Sequence, residues 1–266
     1  MAKQQHKGKA AVITGGSGGI GYELAIICAQ NGYDLVLAAR SQDKLNNIKQ
    51  NFETEYGIKV HVVVTDLSEM GQAKQLYTYC HVHHIPVEAL INNAGYGDYI
   101  PVADADPEVL SNMLHLNIIA LTELTALFVK DFVKQKSGRI LNVASTAAYQ
   151  PVPRLAAYSA SKAYVVSFTE ALHAELKDTG VTATVLSPGV TDTGFIDRAN
   201  MKHSSVAQGP QAIPAEVAKA GYEAMQKGSL YVIPGFLNKL LAFSTRITPS
   251  RRLVLAVSAL FSKEKK

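Results

Sequence analysis

The chain has 266 residues, 47% of them apolar, a net charge of +4 and two cysteines, so one large core can form without disulfides or a structural metal. Residues 239–266 carry +6 and the preceding 238 carry −2, which argues against a basic nucleic-acid groove across the body of the protein. The apolar run after the basic start is too short for a secretory signal, and no stretch approaches the ~20 apolar residues of a membrane span. A cytoplasmic protein with Cys28 and Cys80 as reduced thiols is expected.

The first predicted strand, 10–14, runs into Thr14-Gly15-Gly16-Ser17-Gly18-Gly19-Ile20-Gly21 and a helix over 20–30. Glycines there allow close backbone approach to a pyrophosphate, and the helix N-terminus offers unpaired N–H groups. The letters fit three patterns. Gly15-x-Ser17-x-Gly19 matches a nucleophile elbow, but only one strand precedes Ser17, so no earlier loop supplies the second oxyanion donor. Gly16, Gly18 and Gly21 match the common dinucleotide fingerprint, and Gly15, Gly19 and Gly21 a longer spacing.

The second strand, 35–38, leads to Arg40-Ser41 and not to the acid that would bind a free ribose 2′-hydroxyl. A guanidinium beside a hydroxyl suits a 2′-phosphate, so NADP(H) is expected in preference to NAD. Helix 43–56, strand 60–65 and helix 69–81 follow. His81, His83 and His84 at the end of that helix do not share one face, and a solvated helix end is expected there, not a zinc site.

Strand 89–92 ends in Asn92-Asn93-Ala94-Gly95, and Asn117 lies inside a long helix over 107–134. Strand 139–144 delivers Ser145 to the carboxyl end of the sheet, where ligands bind in such folds. Pairing Ser145 with His173 as a hydrolase leaves no acid for a third member. In helix 155–177, Tyr158 and Lys162 are four residues apart on one face. A nearby ammonium favours phenolate, turning a poor acid/base into one that can protonate a carbonyl oxygen. Strand 182–187 leads to Pro188-Gly189-Val190-Thr191-Asp192-Thr193 and an irregular segment up to Pro214. Loops of this length are usually functional, and Phe195, Ile196 and Met201 point to a hydrophobic or acyl-bearing carbonyl substrate. Helix 214–226 and strand 230–233 complete the alternation.

Alternating strands and helices predict an α/β fold: a Rossmann-type doubly wound parallel sheet of about seven strands with helices on both faces. It forms one domain, 1–235, followed by an apolar, basic helical extension, 236–266.

From about Lys7 to Ile233 the chain resembles the short-chain dehydrogenases/reductases of the ~250-residue kind. The resemblance rests on the Thr14–Gly21 loop, Asn92-Asn93-Ala94-Gly95, Asn117, Ser145, Tyr158-x-x-x-Lys162 and Pro188-Gly189, in that order and spacing. It implies that Tyr158 is the general acid/base and that Lys162 lowers its pKa while holding the nicotinamide ribose. It further implies that Ser145 holds the substrate oxygen and Asn117 a water leading to Lys162. The cofactor would lie on Gly15, Ser17, Gly19, Ile20 and Gly21, with Asp66 and Leu67 framing the adenine. Asn92, Ala94 and Gly95 would follow, then Pro188, Gly189, Val190 and Thr193 around the nicotinamide. Relatives that prefer NADP often carry a basic residue at position 18, where this chain has Gly18, so the preference leans on Arg40 and Ser41. A homodimer or homotetramer reducing a small-molecule carbonyl, or oxidising the matching alcohol, is implied. A non-catalytic regulatory protein of the same fold is the alternative, and the presence of Asn117, Ser145, Tyr158 and Lys162 speaks against it.

In the extension, Phe236, Leu240, Phe243 and Ile247 form one helical stripe, and Thr248-Pro249 is expected to restart a helix as cap and first-turn proline. The stripe is expected to pack on the domain or another subunit, or to lie on a membrane surface.

Overall fold

The computed structural model describes residues 4–201, 204 and 208–261. Its strands are β1 (Ala10–Thr14), β2 (Asp34–Ala39), β3 (Val60–Val64), β4 (Val87–Asn92), β5 (Gly138–Val143), β6 (Val181–Leu186) and β7 (Tyr231–Val232). All pair in parallel, in the order β3-β2-β1-β4-β5-β6-β7. The chain winds outward from β1 to β3, returns to β4 beside β1 and winds outward again. A crevice therefore opens between the carboxyl ends of β1 and β4, where the winding reverses.

The helices are α1 (Gly19–Gln30), α2 (Gln42–Tyr56), α3 (Gln72–Val82), α4 (Pro107–Leu114), α5 (Leu121–Gln135), α6 (Ala156–Glu175), α7 (Phe195–Arg198), α8 (Pro214–Lys227), α9 (Phe236–Ile247) and α10 (Arg251–Phe261). Side chains alternate across the strands, so each sheet face has its own core. Ala11, Ile13, Leu35 and Leu37 meet Leu24, Leu45, Phe52 and Met225 on one face. Val12, Val36, Leu90 and Ile140 meet Leu76, Leu124, Phe128 and Leu172 on the other. Cys28 is buried in the first cluster and Cys80 in the second, both as free thiols with the sheet between them.

Three local features differ from the sequence reading. The helix expected over 107–134 is α4, capped by the Asp106 carboxylate on the Glu108 amide, then a wide π-turn over His115–Ala120, then α5. The irregular segment after Thr193 contains the short helix α7; residues 202, 203 and 205–207 of that segment lie outside the described residues. Thr248 ends α9, and α10 begins two residues later than expected, where the Ser250 hydroxyl accepts from the Leu253 amide at 3.4 Å.

Candidate active site

The glycine loop leaves β1 and is tied to the end of β4. The buried Thr14 hydroxyl accepts from the amides of Asn93 and Ala94, each at 3.0 Å, and the Asn93 carboxamide donates to the carbonyls of Thr14 (2.9 Å) and Gly15 (3.3 Å). This knot selects among the three glycine patterns. A Cβ on Gly21 would stand 2.4 Å from both the Asn93 amide nitrogen and the Gly15 carbonyl, and one on Gly15, at φ +68°, 2.8 Å from Asn93. No side chain fits either position. Gly19 is pressed by Thr193, whereas Gly18 is extended with open space around it. The longer spacing, Gly15, Gly19 and Gly21, is the one that the backbone requires. Ile20 packs on the core, Ser17 is half-buried in the loop, and no side chain caps the N-terminus of α1.

At the end of β2, Arg40 is exposed, with its guanidinium 3.5 Å from the Asp66 carboxylate beyond β3. Burial would raise the Asp66 pKa, but the Ser68 hydroxyl and amide together with Arg40 outweigh it and hold the carboxyl below its usual value. Ser41 is exposed next to Arg40 and makes no capping bond to α2. Leu67 turns away from the crevice into the core beside Val36, Ala38 and Leu76.

The Asn92 side chain faces the interior. It is 3% exposed and donates to Thr125 (3.0 Å) and Asn142 (2.9 Å), and Asn142 in turn donates to Thr169 (3.0 Å). This polar ladder lies between the sheet and helices α5 and α6. The Asn92 carboxamide is thus committed to the interior, and its neighbour Asn93 serves the glycine loop. Strand alternation is the reason, since consecutive side chains leave β4 in opposite directions.

Asn117 sits in the π-turn, 1% exposed. Its amide donates to the Tyr96 carbonyl (2.9 Å) and the Ser161 hydroxyl (3.1 Å), and its oxygen accepts from the Tyr96 amide at 3.2 Å. Ser161 donates onward to the Tyr158 carbonyl at 2.7 Å. Such wide turns recur at functional sites, and this one joins the loop after β4 to the start of α6. Gly95 lies against both the Asn117 oxygen and the Lys162 ammonium.

Tyr158 and Lys162 are 7% and 4% exposed. The Lys162 ammonium donates to the Val143 carbonyl at the end of β5 at 2.9 Å and stands 5.8 Å from the Tyr158 ring centre. Ser145, two residues beyond Val143, accepts from the Ala147 amide at 3.1 Å. Burial pushes the Tyr158 phenol up to about 12, with Ser145 acting the other way, and pulls Lys162 down to about 8. Desolvation is the larger effect on the phenol, whose ring centre is 5.8 Å from an ammonium that donates to a backbone carbonyl.

The loop after β6 closes the front. The Pro188 carbonyl accepts from the Thr146 amide at 2.9 Å, the Val190 carbonyl from the Ala212 amide at 2.8 Å, and Thr193 covers Gly19. Phe195 of α7 lies 5.4 Å from the Tyr158 ring. Around the phenol gather Tyr99, Met113, Val152, Leu155, Ala199 and Met201, with Tyr96 and Ile196 at the margin. His173 is spent on the Ala183 carbonyl at 2.8 Å, and His81 on Asp131 at 2.9 Å.

The residues fit a dinucleotide. The glycine cradle is too tight for any Cβ, the N-terminus of α1 faces it uncapped, and a guanidinium stands at the end of β2. Thr14, Asn93, Ser161 and Tyr96 are the site residues that the motif reading passed over. Thr14, Asn93 and Ser161 lie inside the motifs and Tyr96 directly follows Gly95, which is the signal the sequence offers.

The short chain dehydrogenase family model matches residues 9–204. A very-long-chain 3-oxoacyl-CoA reductase of Anas platyrhynchos is 29% identical over 264 residues, 96% of this chain and 83% of that protein. The match to the Mus musculus protein of the same name, at 31% identity, spans 70% of this chain and 60% of that protein. A short-chain dehydrogenase from Sphingobium yanoikuyae in complex with NADPH superposes with a TM-score of 0.81 at 26% identity, over 90% of this chain and 93% of that one. One from Burkholderia phymatum in complex with NAD gives 0.81 at 23%, over 98% and 99%. The knot that fixes the glycine register, the buried Tyr158–Lys162 pair beside Ser145 and these likenesses agree, and the chain belongs to the short-chain dehydrogenase/reductase family, oxidoreductases acting between a carbonyl and an alcohol.

Proposed function

We propose that the protein is an NADPH-dependent reductase of a hydrophobic, acyl-bearing carbonyl, of the 3-oxoacyl kind named for its relatives. The carrying observation is the apolar cluster to which Tyr158 belongs, formed with Tyr99, Met113, Val152, Leu155, Phe195 and Met201, with Phe195 against its ring. A polar small substrate would lose its hydration there without replacement bonds. The cradle of Gly15, Gly19 and Gly21 with Ala94 and Gly95 would hold the dinucleotide, Arg40 and Ser41 its 2′-phosphate, and Val190 and Thr193 the nicotinamide end. When bound, the nicotinamide supplies the hydride. Ser145 holds the substrate oxygen and the Tyr158 hydroxyl gives it a proton. Lys162 would hold the nicotinamide ribose, and Asn117, bonded to Ser161, would order the route by which the phenol regains its proton.

The free thiols Cys28 and Cys80 favour a cytoplasmic enzyme, and the family resemblance suggests a homodimer or homotetramer. Arg40→Ala tests the cofactor reading. Loss of a charge-assisted bond costs about 1.5–3 kcal/mol, toward the lower end for an exposed guanidinium. Titration should therefore show NADPH affinity falling roughly tenfold or more with NADH nearly unchanged. Equal losses would remove Arg40 from phosphate recognition.

A further inference from the structure

Nine of the nineteen exposed large apolar side chains among the described residues fall within residues 236–257. Their placement inverts the usual rule for a surface helix, whose apolar stripe faces the core. In α9 the seated face is polar or small. The Asn238 carboxamide donates to the Pro234 carbonyl at 2.8 Å and packs against Gly189, and Ala242 is 5% exposed. Arg246 lies over the rings of Tyr149 and Tyr231, at 5.3 and 5.1 Å, and pairs with Glu170 at 3.3 Å. With that face fixed, Phe236, Leu237, Leu240, Leu241, Phe243 and Ile247 all point away from the domain, the first of them 79% exposed. Leu253, Leu255 and Val257 extend the apolar surface along α10.

We propose that α9 and α10 dock the protein on an anionic lipid surface. Residues 236–261 contain four Lys/Arg and no Asp or Glu. Arg246 is spent on the domain, but Lys239, Arg251 and Arg252 are exposed beside the apolar face. Lys263, Glu264, Lys265 and Lys266 continue the chain with a net charge of +2 and lie outside the described residues. Apolar side chains bordered by cations match a headgroup–acyl boundary. A second copy docked on the same face would set the cations of α9 and α10 against each other, with no carboxylate within residues 236–261, so the charge favours lipid over self-association. Among the described residues no helix is long and apolar enough to cross a membrane, so the contact is peripheral. Because α9 sits on Gly189 and Tyr149, in the loops after β6 and β5, the docked face adjoins the mouth of the site.

The test is co-sedimentation of the full chain with vesicles of phosphatidylcholine, with or without phosphatidylglycerol. The wild type should bind the anionic vesicles at low salt and release them near 1 M, where the Debye length is ~3 Å. Leu240→Asp/Phe243→Asp should lower the bound fraction about tenfold or more, and Arg251→Glu/Arg252→Glu should do likewise. Both variants alter exposed positions outside the site, so their thermal melting and NADPH binding should match the wild type. Absence of wild-type binding at low salt, or equal binding to neutral vesicles, would overturn the proposal. So would variants that bind as the wild type does, or a loss of oligomer in sedimentation velocity with no vesicle binding in any form, which would assign the face to a second copy.

Discussion

Tyr158→Phe is expected to lower turnover at least ~10²-fold while leaving NADPH affinity nearly intact. The reasoning is geometric. The phenol of Tyr158 belongs to the apolar cluster of Met113, Leu155 and Phe195, and Ser145 acts to lower its pKa against the effect of burial. Phe keeps the ring and its packing, so the fold and the cradle at Gly15, Gly19 and Gly21 remain; what disappears is the proton given to the substrate oxygen. Pre-steady-state kinetics should show unchanged cofactor binding ahead of a slowed chemical step. Turnover like that of the wild type would mean that another group supplies the proton.

Lys162→Met should cost about as much in rate and should weaken cofactor binding as well, since one ammonium is assigned both tasks. It also has a signature in stability that no purely local contact would produce. Burial holds Lys162 at about 8 in the folded protein, against 10.5 ordinarily. Below pH 8 both folded and unfolded chains carry the charge, and the full desolvation penalty applies. Between pH 8 and 10.5 the unfolded chain binds the proton and the folded one does not, so wild-type stability rises with pH relative to Lys162→Met. Two and a half units correspond to roughly 3 kcal/mol. Urea melts of both proteins across that window should converge or cross. A constant difference from pH 7 to 10 would show that the lysine is not desolvated in the folded state.

Much of the fold could be read from the order of residues because each element carries its own signal. Short Val/Ile/Leu runs separated by helix-length segments admit little besides a parallel, doubly covered sheet, and Tyr158, Lys162, Ser145 and Asn117 stand at positions where strand ends and helix starts converge. The unreadable parts have physical causes. The π-turn at His115–Ala120 leaves no break in apolar periodicity, so α4 and α5 look continuous. Asn92 and Asn93 are adjacent and chemically identical, and only the facing of β4 decides that one joins the buried ladder to Asn142 while the other ties down the glycine loop. The choice among three glycine registers needed a partner distant in sequence, Asn93. Desolvation of Tyr158 depends on what covers it, including Phe195, which no local pattern reveals. In α9 the rule that an apolar stripe faces inward fails outright, because Asn238 and Arg246 find better partners on the domain than the leucines do.

The most direct measurement follows a label. The enzyme would be given NADPH deuterated at the transferable position of the nicotinamide, together with a long-chain 3-oxoacyl thioester, and the product would be read by mass spectrometry. The account requires a 3-hydroxyacyl product with one deuterium on the carbinol carbon, formed by the wild type and not by Tyr158→Phe over the same time. A product without deuterium, or a cofactor that stays reduced while the acyl thioester is consumed by another route, would contradict it.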